Sequence, residues 1–199
     1  MAGPTLIRAH ELIAAPWKNG GGSTREIACF PAAAGLDDFI WRASLAEVAQ
    51  AGPFSRFDGV DRTLILLAGA GMRLETEDGV SHRLAHALDR LDFAGETAIH
   101  ASPIRGATHD FNLMLRRDAV QGEVEIRHAP CEGGLQCDVA LLFCVEGELE
   151  ITLDDEAAAC TLSASDTLRI DTARGRYCRV RGQGCLLRIG LNLTSMETA

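Results

Sequence analysis

The sequence predicts an all-β chain with little helix, built from two small barrels in tandem. From about residue 60 onward, short apolar or alternating runs succeed one another, each closed by Gly, Asp, Asn or Ser. The two halves also echo each other. Residues 64–71 (LILLAGAG) match residues 140–147 (ALLFCVEG), and Asp89 ahead of Leu91 and Phe93 matches Asp166 ahead of Leu168 and Ile170, at an offset of 76 or 77 residues. Helical spacing is scarce; only residues 45–50 read as one or two turns of helix.

The first segment of note is Pro16-Trp17-Lys18-Asn19-Gly20-Gly21-Gly22-Ser23-Thr24-Arg25-Glu26. Lys18 is the one lysine of the chain, against eighteen arginines. Its compact ammonium suits a place where a planar guanidinium fork does not fit. Three successive glycines permit close backbone approach, so that amides can point at an anion. The segment is not a phosphate-binding P-loop, because the lysine precedes the glycines and Thr24 onward reads as a strand start.

Strands are expected next at residues 63–67, 72–75, 82–84, 91–93 and 110–116, and in the second half at 123–128, 139–145, 148–153, 158–162, 167–170, 177–181 and 185–191. Gly147, Asp154-Asp155, Ser165-Asp166 and Gly182-Gln183-Gly184 are the expected turns between them. The expected division is residues 1–118 for an N-terminal arm and first barrel, and 119–199 for the second barrel.

Three further segments carry chemistry. In Trp41-Arg42-Ala43-Ser44, an extended backbone sends Arg42 and Ser44 one way and Trp41 the other. Gly52-Pro53-Phe54-Ser55, with Phe57, Gly59 and Arg62, forms a turn that carries aromatic rings into the first barrel strand. Asp110, Asn112 and Met114 share one strand face, and if it is the inner one, Asp110 and Asn112 need partners. Arg25, Arg42 and Arg62 are candidates, and an internal network with Arg62 held by Asp110 or Glu26 is the structural alternative to a ligand site.

Composition narrows the function classes. With 47% hydrophobic residues the chain buries a substantial core, and a net charge of −9 opposes nucleic-acid and anionic-membrane partners. No apolar run reaches about 20 residues, and the start lacks a basic-then-apolar leader pattern, so a cytoplasmic protein is expected. The seven cysteines form an odd set without Cys-x-x-Cys spacing and read as buried thiols, with Cys131 and Cys137 the expected surface pair. His10, His82, His86, His100, His109 and His128 include no His-x-His pair, so neither a metal nor another cofactor is expected.

Gly147-Glu148-Leu149-Glu150-Ile151, followed by Asp166-Thr167-Leu168, resembles the jelly-roll unit of cupins. Together, PWKNGGGSTREIA (16–28), WRASLAEVAQAGPFSRFDGVDR (41–62) and DFNLMLRR (110–117) resemble the HutD/Ves family of bacterial double-cupin proteins in segment order. The resemblance implies an all-β bicupin fold. It implies a site drawn from Lys18, Asn19, Thr24, Arg25, Glu26, Trp41, Arg42, Ser44, Ser55, Arg62, Asp110 and Asn112. One branch is associated with histidine utilisation, where it is proposed to bind an N-formimino-glutamate-type intermediate; another is associated with environmental stress. Gly106-Ala107-Thr108-His109 departs from the Gly-Pro the family pattern has just before Asp110.

The expected partner is therefore a small acidic metabolite, held by bidentate guanidinium contacts and a lysine charge. A homodimer is compatible with cupin-like sheets. The alternatives are a cofactor-free isomerase, lyase or hydrolase using Lys18, Glu26 or Asp110 as acid or base, and an interaction protein whose arginines sit in internal bridges.

Overall fold

The computed structural model describes residues 3–154 and 158–194, and among them there is no α-helix. In chain order the elements are β1 (Thr5–Ile7), a 3-10 turn (Ala9–Glu11), β2 (Ala14–Pro16), β3 (Gly22–Phe30), β4 (Trp41–Val48), β5 (Gly52–Pro53), β6 (Val60–Ala68), β7 (Met72–Thr76), β8 (Ser81–Leu84), β9 (Arg90–Ala94), β10 (Ile99–Pro103), β11 (Thr108–Arg116), β12 (Val120–His128), β13 (Cys131–Gly134), β14 (Val139–Leu153), β15 (Cys160–Ser163), β16 (Thr167–Ile170) and β17 (Tyr177–Leu193).

They form two compact units. One runs from Leu12 to Ala119; the other joins the residues up to Glu11 with those from Val120 onward. The first unit has a six-stranded sheet in the order β2-β3-β4-β11-β6-β9 and a four-stranded sheet in the order β5-β10-β7-β8. The second has a sheet in the order β1-β16-β14-β17-β12, with β13 on β17 and β15 on β14. Every pairing is antiparallel, as expected of jelly-roll barrels.

The N-terminal arm differs from its expected place. Thr5, Leu6 and Ile7 pair with Arg169, Leu168 and Thr167, so the first residues complete the second barrel rather than the first. The helical reading of residues 45–50 is also overturned. Leu45 to Val48 lie in β4, paired with β3 on one side and β11 on the other, and this two-sided ladder overrides the local helix preference of Leu-Ala-Glu. In the second barrel, four expected strands are two long ones. Gly147 sits opposite Gly184, and the two glycines bend a continuous ladder instead of closing hairpins. A Cβ on Gly147 would meet the Gln183 carbonyl oxygen at 2.0 Å. Asp155, expected in a turn, lies outside the described residues.

The echo between the halves has a structural counterpart. Leu88 N–H donates to the Leu66 carbonyl (2.7 Å) and Leu66 N–H to the Asp89 carbonyl (3.0 Å). Likewise, Ser165 N–H donates to the Cys144 carbonyl (2.7 Å) and Cys144 N–H to the Asp166 carbonyl (2.9 Å). Leu88 and Ser165 share an unusual left-handed backbone, with φ of 71° and 70°.

Each barrel encloses its own apolar core. Val48, Leu64, Leu66, Met72, Leu74, Leu84, Ile99 and Ala101 fill the first, edged by Trp17, Phe54, Leu91 and Phe93. Leu142, Cys144, Leu149, Ile151, Leu162 and Leu186 are among those filling the second. All seven cysteines are free thiols. Cys137 is buried, so of the pair expected at the surface only Cys131 is partly exposed.

Candidate functional site

Strand register defines the inner face of the first barrel row by row, because residues opposite one another in an antiparallel ladder point to the same side. Leu64 and Leu66 belong to the core, and so fix which side is inside. Thr24, Ala46, Asp110 and Leu66 make one row; Glu26, Ser44, Asn112 and Leu64 the next; Arg42, Met114, Arg62 and Phe93 the third. A band of polar groups thus crosses β3, β4, β11 and β6 on an otherwise apolar wall.

Arg62 is the centre of this band. It is 9% exposed, and its guanidinium donates to Asn112 Oδ1 from Nη2 (3.1 Å) and Nε (3.4 Å), and to the Ser55 carbonyl from Nη1 (3.2 Å). Phe93, Phe54 and Phe57 surround it at 4.9, 5.4 and 5.7 Å from the ring centroids. Among the described residues no carboxylate lies within ion-pair distance of it, so the network with Asp110 or Glu26 does not form. Burial and, secondarily, the charge of Arg42 push its pKa down to about 10. Even so, it stays charged at neutral pH. Aromatic faces offset part of the desolvation, about 1–2 kcal/mol for a well-placed ring, but they carry no negative charge to balance it.

Arg42 is better matched. Its Nε donates to Glu26 Oε2 at 2.7 Å and its Nη1 to Ser44 Oγ at 3.4 Å. The Arg42 side chain is 12% exposed and that of Glu26 40%, so the pair lies where the band meets solvent.

Asp110 is the deepest ionisable group of the band, with no exposure. Thr108, which stands where the family pattern differs, donates its hydroxyl to Asp110 Oδ2 at 3.0 Å. The other oxygen, Oδ1, has no hydrogen-bond partner among the described residues. Desolvation pushes its pKa up to about 7, against a small lowering from the Thr108 hydroxyl.

The structure therefore brings together Thr24, Glu26, Arg42, Ser44, Arg62, Asp110 and Asn112. It does not bring in the others. Lys18 is exposed in the turn after β2. Asn19 is exposed, and its Oδ1 accepts the Gly21 N–H at 3.0 Å, which shapes the glycine loop. Arg25 and Trp41 lie on the opposite face of their strands, Arg25 exposed and Trp41 buried. Ser55 contributes its carbonyl, while the residue itself is exposed. Trp17 is tied to the band through Thr24, whose hydroxyl accepts the indole N–H at 2.8 Å, and it meets Phe54 edge-on at 6.4 Å.

Phe93 and Thr108 are the members that sequence reasoning missed. Phe93 carried a usable signal, since its alternation with Leu91 marks one face of a strand, but its pairing opposite Arg62 is a long-range fact. Among the described residues, no group of three or more His, Cys, Asp or Glu is placed to hold a metal ion. No helix among them is long and apolar enough to cross a membrane.

Comparisons with known proteins agree with this architecture. Protein Ves of Escherichia fergusonii is 35% identical over 169 residues, covering 80% of this chain and 84% of that one. A 21.2 kDa protein from the hutC 3' region of Pseudomonas putida is 31% identical over 183 residues, covering 88% and 95%. The solved structure of HutD from Pseudomonas fluorescens SBW25 has a TM-score of 0.83 at 30% identity, covering 96% of this chain and all of that one. At 9% identity, where only the fold is shared, a putative glyoxylate-induced protein from Pseudomonas aeruginosa has a TM-score of 0.69. The fold is a bicupin, two jelly-roll barrels in one chain. The family model that matches is HutD, over residues 9–188, and the chain belongs to that family, which it shares with the Ves proteins.

Proposed function

We propose that the first barrel binds a small acidic metabolite, of the N-formimino- or N-formyl-glutamate type, and that the protein regulates histidine or amino-acid catabolism by holding this ligand without a metal. The observation that carries this reading is Arg62, a buried guanidinium whose acceptors among the described residues are neutral, its pKa lowered by burial and by the charge of a second guanidinium, Arg42. A buried cation without an anion is costly, and a carboxylate docked against Arg62 and Arg42 would complete the charge. The names of two relatives, HutD and the hutC-region protein, support histidine utilisation. Similarity to Protein Ves supports the other branch of the family, for which the resemblance implies a stress-related role.

The test is a thermal-shift and calorimetric screen of the purified protein against glutamate, glutarate, N-formyl-glutamate, N-formimino-glutamate, urocanate and histidine. A ligand at 100 times its Kd adds about 2.7 kcal/mol of stability, a readily measured rise in Tm. The acylated glutamates are expected to give the largest rise. Arg62→Met is expected to weaken their binding at least tenfold, and Lys18→Ala to change it less than twofold. Unchanged affinity in Arg62→Met overturns the assignment.

A second reading is favoured by Asp110. A fully buried carboxyl with a pKa near 7 has the properties of a general acid or base, so a cofactor-free isomerase, lyase or hydrolase on the same ligand class is the alternative. Formation of product from a ligand that raises Tm, lost in Asp110→Asn, selects it.

A further inference from the structure

The first barrel contains two buried ionisable groups of opposite sign that are not paired with each other. Arg62 delivers its guanidinium to Asn112 Oδ1, and Asp110 stands two residues along the same strand with Oδ1 unpartnered. At the rise of a β-strand, the side chains at positions 110 and 112 are about 6–7 Å apart, a span that a short amino acid covers. Resting on the reading that Arg62 and Arg42 hold a carboxylate, we infer that the ligand's other end is a cationic, hydrogen-bond-donating nitrogen, an amidinium or ammonium group, received by Asp110.

The surroundings of Asp110 leave this role to it. Its neighbours across the ladder are Ala46 and Leu66, and Thr24 is the next inner residue of its row. The charged groups on the same inner face are Glu26 on β3, Arg42 on β4 and Arg62 on β6, and none of them pairs with it. The four-stranded sheet contributes the apolar Met72, Leu74, Leu84, Ile99 and Ala101 to the core. A neutral carbonyl end would be served by an amide side chain, as Asn112 already serves Arg62. An ionisable carboxyl at a fully buried position is explained by a charge it must meet.

The step has a proton balance. In the free protein Asp110 is partly in its protonated form near neutral pH. Docking of the cationic end favours the carboxylate, so the carboxyl proton passes to the buffer as the ion pair forms, and no bond of the ligand is made or broken.

N-formimino-glutamate and N-formyl-glutamate make a matched pair of probes, because one ends in a cationic amidinium and the other in a neutral amide of nearly the same shape. The experiment is calorimetric titration of the whole protein with each at pH 7, in phosphate and in Tris, whose ionisation enthalpies differ. The expected result is that the formimino compound binds at least tenfold more tightly and releases protons, seen as a heat that differs between the two buffers, whereas the formyl compound releases none. Asp110→Asn is expected to remove both the preference and the proton release. Equal affinities with no buffer dependence overturn this inference and leave the anion-binding reading standing. Failure of both compounds to bind overturns the two together.

Discussion

Arg62 and Asp110 show how one residue's chemistry depends on what lies across the sheet from it. Both sit on strands whose alternation marks an inner face, and their shared side with Arg42, Ser44 and Asn112 follows from a period of two. Their charge states follow from burial instead. Because the folded pKa of Asp110 is raised, its contribution to stability is fully present below about pH 4, the ordinary carboxylate range, and is lost as pH rises through about 7. Asp110→Asn is expected to abolish that component, so the variant's ligand-free Tm should gain on the wild type between pH 5 and pH 8; parallel melting curves across this range would count against a protonated Asp110. Lys18 points the other way. It is the one lysine of the chain, yet it is exposed, and the count of a residue type contains no information about burial.

Among the elements, β3 and the glycine loop before it position the band. Gly22 begins β3 opposite Val48, and a Cβ there would stand 2.0 Å from the Glu47 carbonyl oxygen and 3.2 Å from the Trp17 ring. Gly22→Ala therefore forces β3 away from β4 and disturbs Trp17, whose indole holds Thr24. The expected loss is about 2–4 kcal/mol by urea denaturation, with weaker ligand binding; a loss under about 0.5 kcal/mol would show that β3 yields easily. Alternation and turn residues made β6, β7, β8, β9, β11 and β16 legible in the sequence. They misled at residues 45–50, where a good local helix former lies between two partner strands. They also misled at Gly147 and Gly184, since a glycine that bends a ladder and one that ends it look the same in one dimension.

For the whole molecule, the two barrels repeat one turn architecture, with Asp89 and Asp166 at equivalent places. In the second, the chain's first residues are part of the construction. Beyond the β1 pairing, Arg8 Nη1 meets Asp166 Oδ2 at 2.7 Å, and Ala9 N–H donates to Asp166 Oδ1 at 2.9 Å. Leu6 packs against the second core. Removing residues 1–11 is expected to destabilise the barrel by about 2–4 kcal/mol, whereas Arg8→Ala alone should cost about 1 kcal/mol, given its partial exposure. Limited proteolysis of the truncated chain, with cleavage concentrated beyond Val120, checks the first; an unchanged cleavage pattern would refute it.

By itself the sequence determined the all-β class, the repeat of two barrels and which residues of a strand share a face, because strand period and turn chemistry are local properties. The tertiary structure alone decided that β1 joins the second barrel as an edge strand, that Glu26 pairs with Arg42 while Arg62 meets neutral acceptors and three aromatic rings, and that Asp110 is sealed from water. Each of these depends on pairings between residues tens to more than a hundred positions apart, and burial and ion pairing, which set charge and affinity, exist only once those pairings form.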